Sequence, residues 1–465
     1  MSELITNDFL LTTPLAQRLF HEHAAAAPII DFHCHLDAQD LALDRRFANI
    51  GQLWVTTDPY KHRAMRIAGV PEKFITGLAT DQEKFLHWAE TVPQTLGNPL
   101  YHWTALELKR YFDIDEPLSP ASAERIWQHC NQRLAEPDWT ARGLLRQRNV
   151  ECVCTSDRLL DDLSAHATLA TVDFGTRVLP SLRADDITAV ESPGFENWVR
   201  QLGALTGTSI TSYSTFWDAV VRRLDAFQTL GCRLADHALD DFVYVKVERG
   251  ETAALFQRLL SSESLSTVEL LRLRCGLLHE LGVNYGQRGW ILQLHLGAKR
   301  HTSTRLRNLL GSAGGFASIG NTTDVPSLCG FLDHLETEGR LPRTILYPLN
   351  PVDFAALATL SGSFVEDGVA GKVQLGPAWW FNDHASGMRA QLEAIANHGL
   401  LSVSIGMTTD SRSLLSMTRH EYFRRVLCGW LGEQVERGAF PNHPDELARL
   451  VCALVYHNPK RALGL

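Results

Sequence analysis

The sequence predicts an α/β fold in the form of a (β/α)₈ TIM-like barrel. Short apolar β-runs alternate with helical patterns from about residue 150 onward, and one earlier apolar run brings the number of predicted strands to eight. Strand–helix alternation of this number is typical of a closed parallel barrel. The predicted strands are Ile29–Phe32, Val150–Thr155, Arg177–Leu182, Arg233–Ala235, Trp290–Leu296, Thr344–Leu349, Lys372–Leu375 and Leu401–Met407.

The stretch between the first two predicted strands differs from the rest of the chain. Residues 37–148 are helical in pattern, rich in tryptophan and without a convincing strand. We interpret them as a helical insertion between strands 1 and 2. Because a barrel with insertions reaches this length, we expect the 465 residues to form one barrel domain, 1–465.

Composition narrows the class of protein. A formal charge of −9, with no block of lysine or arginine, argues against general nucleic-acid binding. The acidic N-terminus lacks the basic flank of a signal peptide, and no apolar run approaches the length of a membrane span. The nine cysteines include no Cys-x-x-Cys pair, which indicates buried thiols in a reducing cytoplasm. The oligomeric state stays open, a homo-oligomer included.

The first predicted strand ends in two histidines, His33 and His35. Residues two apart on a strand point to the same face, so both imidazoles are expected to project together. Two neutral imidazoles aimed at one point suit a divalent metal ion, zinc above all. The alternative is that the two histidines are unrelated polar residues where a strand meets a loop.

Further polar side chains follow the other strands, where barrel enzymes place their catalytic groups. His295 ends strand 5 and Asp410 follows strand 8, which neighbours strand 1 in a closed barrel. With His33 and His35 they supply three or four nitrogen and oxygen ligands for a catalytic metal. The alternative for His295 is a core histidine whose hydrogen-bond partner is Gln293 or a backbone carbonyl. The alternative for Asp410 is the N-cap of a helix.

Two arginines at strand ends, Arg183 and Arg412, are candidate clamps for a substrate carboxylate, since guanidinium binds it bidentately. A salt bridge to a nearby aspartate is the alternative for each. Trp379 and Trp380 after strand 7 could wall a pocket or simply pack. Asp236 and His237 follow strand 4. They are either partners that support the site residues or a local cap, and the sequence does not decide between these roles.

Longer stretches resemble one known family. His-x-His on strand 1, a strand-5 histidine and a strand-8 aspartate are similar to the amidohydrolase superfamily, and the flanking sequences resemble uronate (glucuronate) isomerases more narrowly. The resemblance covers about residues 28–420. The matching stretches are Asp31–Leu36, Tyr60–Arg66, Gly231–His237, Gln293–Ala298, Thr344–Pro351, Gly376–Asp383 and Thr408–Ser413.

This resemblance implies a barrel of the metal-dependent hydrolase type that holds one divalent metal ion. It implies a small sugar-acid substrate and the interconversion of D-glucuronate with D-fructuronate and of D-galacturonate with D-tagaturonate. The resemblance implies that His33, His35 and Asp410 bind the metal, with His295 a ligand or a close neighbour. It implies that Asp410, Tyr60 and His295 take part in catalysis. The residues that it implies for binding the sugar acid are Arg183, Arg412, Tyr60, Trp379 and Asp383.

One position departs from the family pattern. The family usually reads Asp-His-Tyr-Lys-Trp-Arg where this chain has the residues Asp58-Pro59-Tyr60-Lys61-His62-Arg63. The histidine before the tyrosine is therefore missing. Either His62 substitutes for it from a different angle, or the substrate preference has drifted.

The residue types suit an aldose–ketose isomerisation by metal-assisted proton transfer between C2 and C1. Removal of the proton needs a base, for which Asp410 or a metal-bound hydroxide is available, and the enediolate charge needs an electrophile such as a metal. A rival reading keeps the metal but makes the chain an amidohydrolase or deaminase acting on a small carboxylate-bearing substrate. A second rival is a metal-free binding or scaffold barrel.

Overall fold

The structure is a computed structural model that describes residues 4–311 and 314–465. Parallel strands alternate with helices, as predicted, and the α/β class is confirmed. The strands are β1 Ile29–Asp31, β2 Val150–Cys154, β3 Asp157–Arg158, β4 Arg177–Leu179, β5 Leu182–Arg183, β6 Leu234–Leu239, β7 Ile291–Leu296, β8 Ala298–Lys299, β9 Ser318–Ile319, β10 Thr344–Pro348 and β11 Val373–Leu375.

The α-helices surround these strands. They are α1 Pro14–Arg18, α2 Ala38–Ala42, α3 Ile50–Trp54, α4 Pro59–Ile67, α5 Asp81–Thr91, α6 Pro99–Phe112, α7 Ala123–Leu134, α8 Ala141–Gln147, α9 Ser164–Leu169, α10 Asp185–Thr188, α11 Phe195–Thr206, α12 Tyr213–Thr229, α13 Arg249–Leu260, α14 Thr267–Arg288, α15 Thr304–Leu310, α16 Val325–Thr337, α17 Phe354–Thr359, α18 Ala385–His398, α19 Thr418–Glu436, α20 Pro444–Cys452 and α21 Asn458–Leu463. No helix in the described ranges is long and apolar enough to cross a membrane.

Seven barrel positions are occupied by parallel strands in chain order. One sheet has the order β1-β2-β4 and a second has the order β11-β10-β7-β6-β5-β3. The two sheets join because β3 continues β2 and β5 continues β4. The Thr155 amide donates to the Leu179 carbonyl at 3.0 Å, and the Asp157 amide donates to the Ser181 carbonyl at 2.9 Å, across the interruption.

The prediction of an eighth strand at Leu401–Met407 is wrong. Leu401–Val403 forms a 3₁₀ turn, and Gly406 beyond it has a φ of +84° that breaks the extended backbone. On the side facing β11, a side chain takes the place of backbone hydrogen bonds between strands. The Ile405 amide donates to Gln374 Oε1 on β11 at 2.9 Å. On the other flank the His33 amide donates to Thr408 Oγ1 at 2.8 Å. The segment still lies between β11 and β1 and closes the barrel.

The helices α2–α8 all lie between β1 and β2, and one of them reaches the site. Helix α4 begins at Pro59, whose fixed φ suits the first helical turn. The Asp58 carboxylate caps it by accepting from the amides of Tyr60 at 2.9 Å and Lys61 at 3.3 Å. This capped start directs Tyr60 toward the carboxyl ends of the barrel strands.

The barrel interior is closed beneath the site by a separate cluster of buried side chains. Alternate residues of the strands supply it, because successive side chains of a strand face opposite sides. Its buried members are Ile30, Phe32, Cys152, Cys154, Leu234, Ile291, Ala298, Ile345, Tyr347, Leu349, Trp379, Ile405 and Leu463. This packing gives the residues above it a rigid floor.

Candidate functional site

A cavity of about 310 Å³ opens at the carboxyl ends of the strands, where the sequence predicts the site. Its volume is at the lower end of small-molecule pockets, roughly 300–1,000 Å³. Its walls include eight of the nine predicted site residues, all except Asp383. They are His33, His35, Tyr60, Arg183, His295, Trp379, Asp410 and Arg412.

Two histidines and one carboxylate converge at the floor of this cavity. His35 Nε2 lies 2.9 Å from Asp410 Oδ1, and His33 Nε2 lies 3.4 Å from the same oxygen. The ring centroids of the two histidines are 5.4 Å apart and nearly perpendicular. The Asp410 amide also donates to the His33 carbonyl at 3.0 Å, so the two ligand-bearing segments are tied together directly.

A second group of ligand atoms adjoins the first through His33. The His33 and His295 rings are 4.8 Å apart, and His295 Nδ1 lies 3.9 Å from Asp236 Oδ2. The sequence alone leaves the role of Asp236 open. The structure places it inside strand β6, which is longer than predicted, and in the cavity wall. Strand alternation could have found it, because Asp236 shares a face with the buried Leu234.

His237 faces the opposite way. Its Nε2 lies 3.2 Å from the Tyr285 hydroxyl on α14, outside the barrel. Two of the alternatives raised above also fail on geometry. Gln293 Oε1 accepts from the Tyr347 hydroxyl at 2.7 Å and does not satisfy His295, whose buried Nε2 makes no hydrogen bond. Asp410 caps no helix, since the next turn begins at Leu414 and is preceded by Ser413.

The electrostatics of this cluster favour an ionised Asp410. Burial alone would raise the pKa of Asp410, but hydrogen bonds from His33 and His35 hold it well below its ordinary value. Burial would lower the pKa of His33, yet the neighbouring Asp410 and Asp236 raise it. Burial lowers the pKa of His295 well below its ordinary value, so that ring stays neutral.

Trp379 fixes the second oxygen of Asp410. Its indole Nε1 donates to Asp410 Oδ2 at 2.6 Å, and its ring stacks on Trp380 with centroids 5.0 Å apart. Both Asp410 and Trp380 have left-handed backbone, with φ of +48° and +49°. Non-glycine residues in this region are strained and concentrate at functional sites.

Five arginines line the cavity, of which the sequence singled out two. Arg183 Nε donates to Asp185 Oδ2 at 2.9 Å, so the salt-bridge alternative is realised while the side chain still faces the cavity. Arg412 is exposed and has no ion pair or hydrogen bond within the described ranges. The three that sequence reasoning missed are Arg63, Arg158 and Arg300.

Of these, Arg300 is held by an ion pair and by an aromatic ring of the cavity wall. It pairs with Asp240, and its guanidinium lies 5.4 Å from the centre of the Trp380 ring. It follows the short strand β8, a context that carries no sequence signal for a site. Five arginines and the three aspartates Asp58, Asp236 and Asp410 therefore line the cavity, and the guanidinium of Arg412, unpaired among the described residues, can meet an acidic ligand.

Tyr60 lines the cavity, and its buried hydroxyl makes no hydrogen bond. His62 does not replace the missing histidine, because its Nε2 contacts the Val55 carbonyl at 2.8 Å on the far side of α4. Pro59 occupies the cavity wall instead. Burial lowers the pKa of His62, which is consistent with a neutral packing role.

Asp383 lies behind the cavity wall. Its Oδ2 accepts from Arg419 Nη1 at 2.9 Å, and Arg419 also donates to the Thr409 carbonyl at 3.1 Å. The Arg419 guanidinium lies 4.2 Å from the centre of the Trp103 ring and 5.1 Å from that of Tyr60. Asp383 therefore supports the segment that carries Asp410, and Arg419, on α19, is a supporting residue that no motif revealed.

These side chains fit a divalent metal. The ligand atoms of His33, His35 and Asp410 lie within 4.8 Å of one another, as do those of His33, Asp236 and His295. Nε2 of His295 and Oδ1 of Asp236 are buried and make no hydrogen bond. Buried polar atoms without partners are costly, and imidazole with carboxylate is a donor set that first-row divalent ions prefer.

Comparison with known proteins agrees with the fold and the motifs. A family model for glucuronate isomerase matches residues 1–463. The chain belongs to this family. A uronate isomerase of Photorhabdus laumondii is 45% identical over 470 residues, which cover 100% of this chain and 99% of that protein. One from Salmonella arizonae is 46% identical over 469 residues, with full coverage of both.

A solved structure of a uronate isomerase has the same fold as this chain. The crystal structure of a uronate isomerase from Thermotoga maritima superposes with a TM-score of 0.92 at 33% identity and covers 99% of each chain. Six of the seven stretches that carry the resemblance to the glucuronate isomerase family contribute residues to the cavity wall, and Thr344–Pro351 does not.

Proposed function

We infer that the protein is a hexuronate isomerase, which interconverts D-glucuronate with D-fructuronate and D-galacturonate with D-tagaturonate. The observation that carries this inference is the convergence of Asp410, His33 and His35 in an arginine-lined cavity of a chain from the glucuronate isomerase family. Aldose–ketose isomerisation of a sugar acid needs a base, an electrophile and a carboxylate anchor, and this cavity offers residues for all three.

His33, His35 and Asp410 would hold one divalent metal ion, zinc by the chemistry of the donors, with His295 and Asp236 beside it. When bound, such an ion supplies Lewis acidity that stabilises developing negative charge on the sugar oxygens. The neutral His295 ring, stacked on Tyr347 at 4.6 Å, is available as a further ligand or as a hydrogen-bonding partner of the substrate.

Asp410 is the residue we assign to the proton transfer. Its carboxylate is ionised, and Trp379 and the two histidines hold it from both sides. A base held within hydrogen-bond reach contributes typically 10²–10⁴-fold. It takes the proton from C2 of the aldose and returns a proton at C1, while the proton of the C2 hydroxyl passes to the C1 oxygen, so the aldehyde becomes an alcohol and the C2 alcohol becomes a ketone.

Arg183 and Arg412 anchor the far carboxylate, and Tyr60 contacts the sugar. Arg183 is already oriented by Asp185, so its remaining donors face the cavity with little further loss of freedom. The unpartnered Tyr60 hydroxyl is free to bond a sugar oxygen. Pro59 adds an apolar surface to this part of the wall, and the Asp58 oxygens beside it already accept from the Tyr60 amide and from Lys61, so the hydroxyl of Tyr60 is the unpartnered polar group of this turn.

A hydrolase or deaminase is the less favoured function. The relatives that match the whole chain at 45% and 46% identity are uronate isomerases. We further propose that 1–465 is one barrel domain in which residues 37–148 are an insertion. The nine free cysteines support a cytoplasmic location.

The test is ketose formation from D-glucuronate and D-galacturonate, followed in metal-stripped and zinc-loaded protein together with elemental analysis. We expect turnover of at least one of the two sugar acids and its loss on stripping. An amide or amidine hydrolysed in place of either sugar acid would overturn the proposal.

A second arm tests the base. Asp410→Asn should lower kcat by about 10² or more, while Asp367→Asn on the exposed surface should not. The aldose deuterated at C2 should react more slowly wherever abstraction limits the rate. Full turnover of a metal-loaded Asp410→Asn protein would show that another group is the base.

A further inference from the structure

A second cluster of ligand-type side chains lies on the outer helices, away from the cavity. His279 is on α14, and His334 and Glu338 are at the end of α16. Their ligand atoms lie within 4.8 Å of one another. Not one of the three lines the active-site cavity.

Close packing of the two helices creates this cluster. A Cβ added at Gly282 would meet the Leu335 side chain at 2.8 Å, and one at Gly286 would meet the Arg340 carbonyl oxygen. His279, Gly282 and Gly286 are spaced i, i+3 and i+7, so they share one face of α14. The two glycines let α16 approach α14, and that approach brings His279 onto His334.

The two imidazoles are arranged as a pair that faces one carboxylate. Their rings stack with centroids 3.8 Å apart and planes inclined by 14°. Nε2 of His279 lies 3.3 Å from Glu338 Oε2, and Nε2 of His334 lies 3.5 Å from Glu338 Oε1. Despite this proximity, Nε2 of His279 is buried and makes no hydrogen bond.

The other ring nitrogen of His334 is already engaged. Nδ1 lies 2.6 Å from the Tyr244 hydroxyl, the kind of contact that fixes the tautomer of a metal-binding histidine. Burial lowers the pKa of His279 to about 4 and also lowers that of His334, so both rings are neutral. The carboxylate of Glu338 is 44% exposed, which leaves the cluster open to solvent on one side.

The place of Glu338 on its helix adds an electrostatic argument. It is the C-cap of α16, where the helix dipole disfavours a negative side chain and favours a cation. His334 in the same turn is neutral and offers no compensation. Glu248, Asp333 and the ammonium of Lys246 also act on His334 in this turn.

From these observations we propose a second metal site, in which His279, His334 and Glu338 bind one divalent transition-metal ion and clamp α14 to α16. Two imidazole nitrogens and one carboxylate oxygen form a donor set for zinc, nickel or copper, with at least one position left to water. The ion would neutralise Glu338 and give the free Nε2 of His279 a partner. Its effect is on stability and not on the sugar-acid chemistry.

The test counts metal in untagged, metal-stripped protein that is equilibrated with zinc and freed of unbound ion. The wild type should hold two equivalents, and His279→Ala and Glu338→Gln should each hold one. His398→Ala, an exposed histidine at the end of α18, is the matched control and should hold two. Glu338→Gln tests the site without touching the helix interface, should His279→Ala fail to fold.

A second background separates the two sites. The His33→Ala variant should hold one equivalent of zinc, and the double variant His33→Ala/Glu338→Gln should hold none. Zinc should therefore raise the Tm of the single variant His33→Ala but not that of the double variant. A wild type that holds one equivalent, lost in His33→Ala, would overturn the proposal. A second equivalent that persists in both His279→Ala and Glu338→Gln would also overturn it, because that ion would bind elsewhere.

Discussion

The contact between Trp379 and Asp410 allows the sharpest test of how the site is held. Trp379→Phe keeps an aromatic ring against Trp380 and His295 but removes the indole N–H that donates to Asp410 Oδ2 at 2.6 Å. Asp410 Oδ1 keeps its neighbours His33 and His35. The carboxylate then becomes free to rotate about its bond to Cβ.

The expected size of the effect follows from that one bond. A hydrogen bond to a charged group contributes about 1.5–3 kcal/mol, and each 1.4 kcal/mol corresponds to a factor of ten. If the whole contribution serves to orient the base, kcat should fall by about 10- to 100-fold. Metal content at saturating zinc should stay unchanged, since the proposed ligands His33, His35 and Asp410 are all still present.

Trp380→Phe is the matched control, because the two tryptophans are adjacent and stacked and both line the cavity. Trp380 donates no hydrogen bond to Asp410, whose indole donor is Trp379, and phenylalanine places a ring on the same left-handed backbone. Steady-state kinetics on the preferred sugar acid, elemental analysis and Tm should be measured for both. Equal kinetics in the two variants would refute the idea that Trp379 orients the base.

Three further outcomes follow from the same structure. Arg183→Lys keeps the charge but loses the bidentate fork, so kcat/KM for sugar acids should fall at least about tenfold with metal content and Tm unchanged; unfolding would make Arg183 a structural residue. Burial raises the pKa of Asp157 to about 7 from 3.8, so its ionisation costs stability as pH rises through that range. Asp157→Asn should therefore gain roughly 2 kcal/mol relative to the wild type between about pH 5 and pH 8, measured by denaturation, and a gain independent of pH would contradict this. Gly406→Ala combines a φ of +84° with a clash against the Leu454 carbonyl and should lower stability by roughly 1–3 kcal/mol, whereas Gly362→Ala, with open space around it, should not.

Most of the barrel could be predicted because periodicity reports burial directly. The β-runs at β1, β7, β10 and β11 are apolar and are bounded by turn residues, and the structure places strands there within one or two residues. The prediction of a strand at the eighth barrel position was wrong for a physical reason. Residues 401–407 have the composition of a strand, but composition does not reveal that Gly406 takes a positive φ.

The hydrogen bonds around this segment were equally hidden from sequence reasoning. The Ile405 amide donates to Gln374 Oε1, and the Thr408 hydroxyl accepts from the His33 amide, so each of these bonds uses a side-chain atom. Alternation of apolar and polar residues in the sequence indicates a strand with backbone hydrogen bonds to its neighbours. A hydrogen bond from a side chain to a distant strand leaves no periodic signal in the sequence. The position of the segment was therefore predictable from barrel closure, and its conformation was not.

The two histidines show why the site needed the structure. Ile30 and Phe32 pack inside the barrel, and Asp31 faces the other way, where it bonds Thr409 at 2.6 Å and lies 3.5 Å from His420. Strict alternation continued to residue 33 would put His33 on the outer side, with Asp31. The strand ends at Asp31, however, and the chain bends there.

The bend is fixed by the same threonines that bind Asp31. The Thr408 hydroxyl lies 2.6 Å from Asp31 Oδ1 and accepts from the His33 amide at 2.8 Å, and the Asp410 amide donates to the His33 carbonyl. A carboxylate buried outside the barrel thus anchors the segment that carries Asp410 to the turn that carries His33. The proposed metal ligands His33, His35 and Asp410 meet because Asp31 ties the turn after β1 to the segment that carries Asp410, although Asp31 itself does not line the cavity. Neutralising Asp31 should therefore loosen both ligand segments together, an effect that no reading of the His-x-His motif alone would suggest.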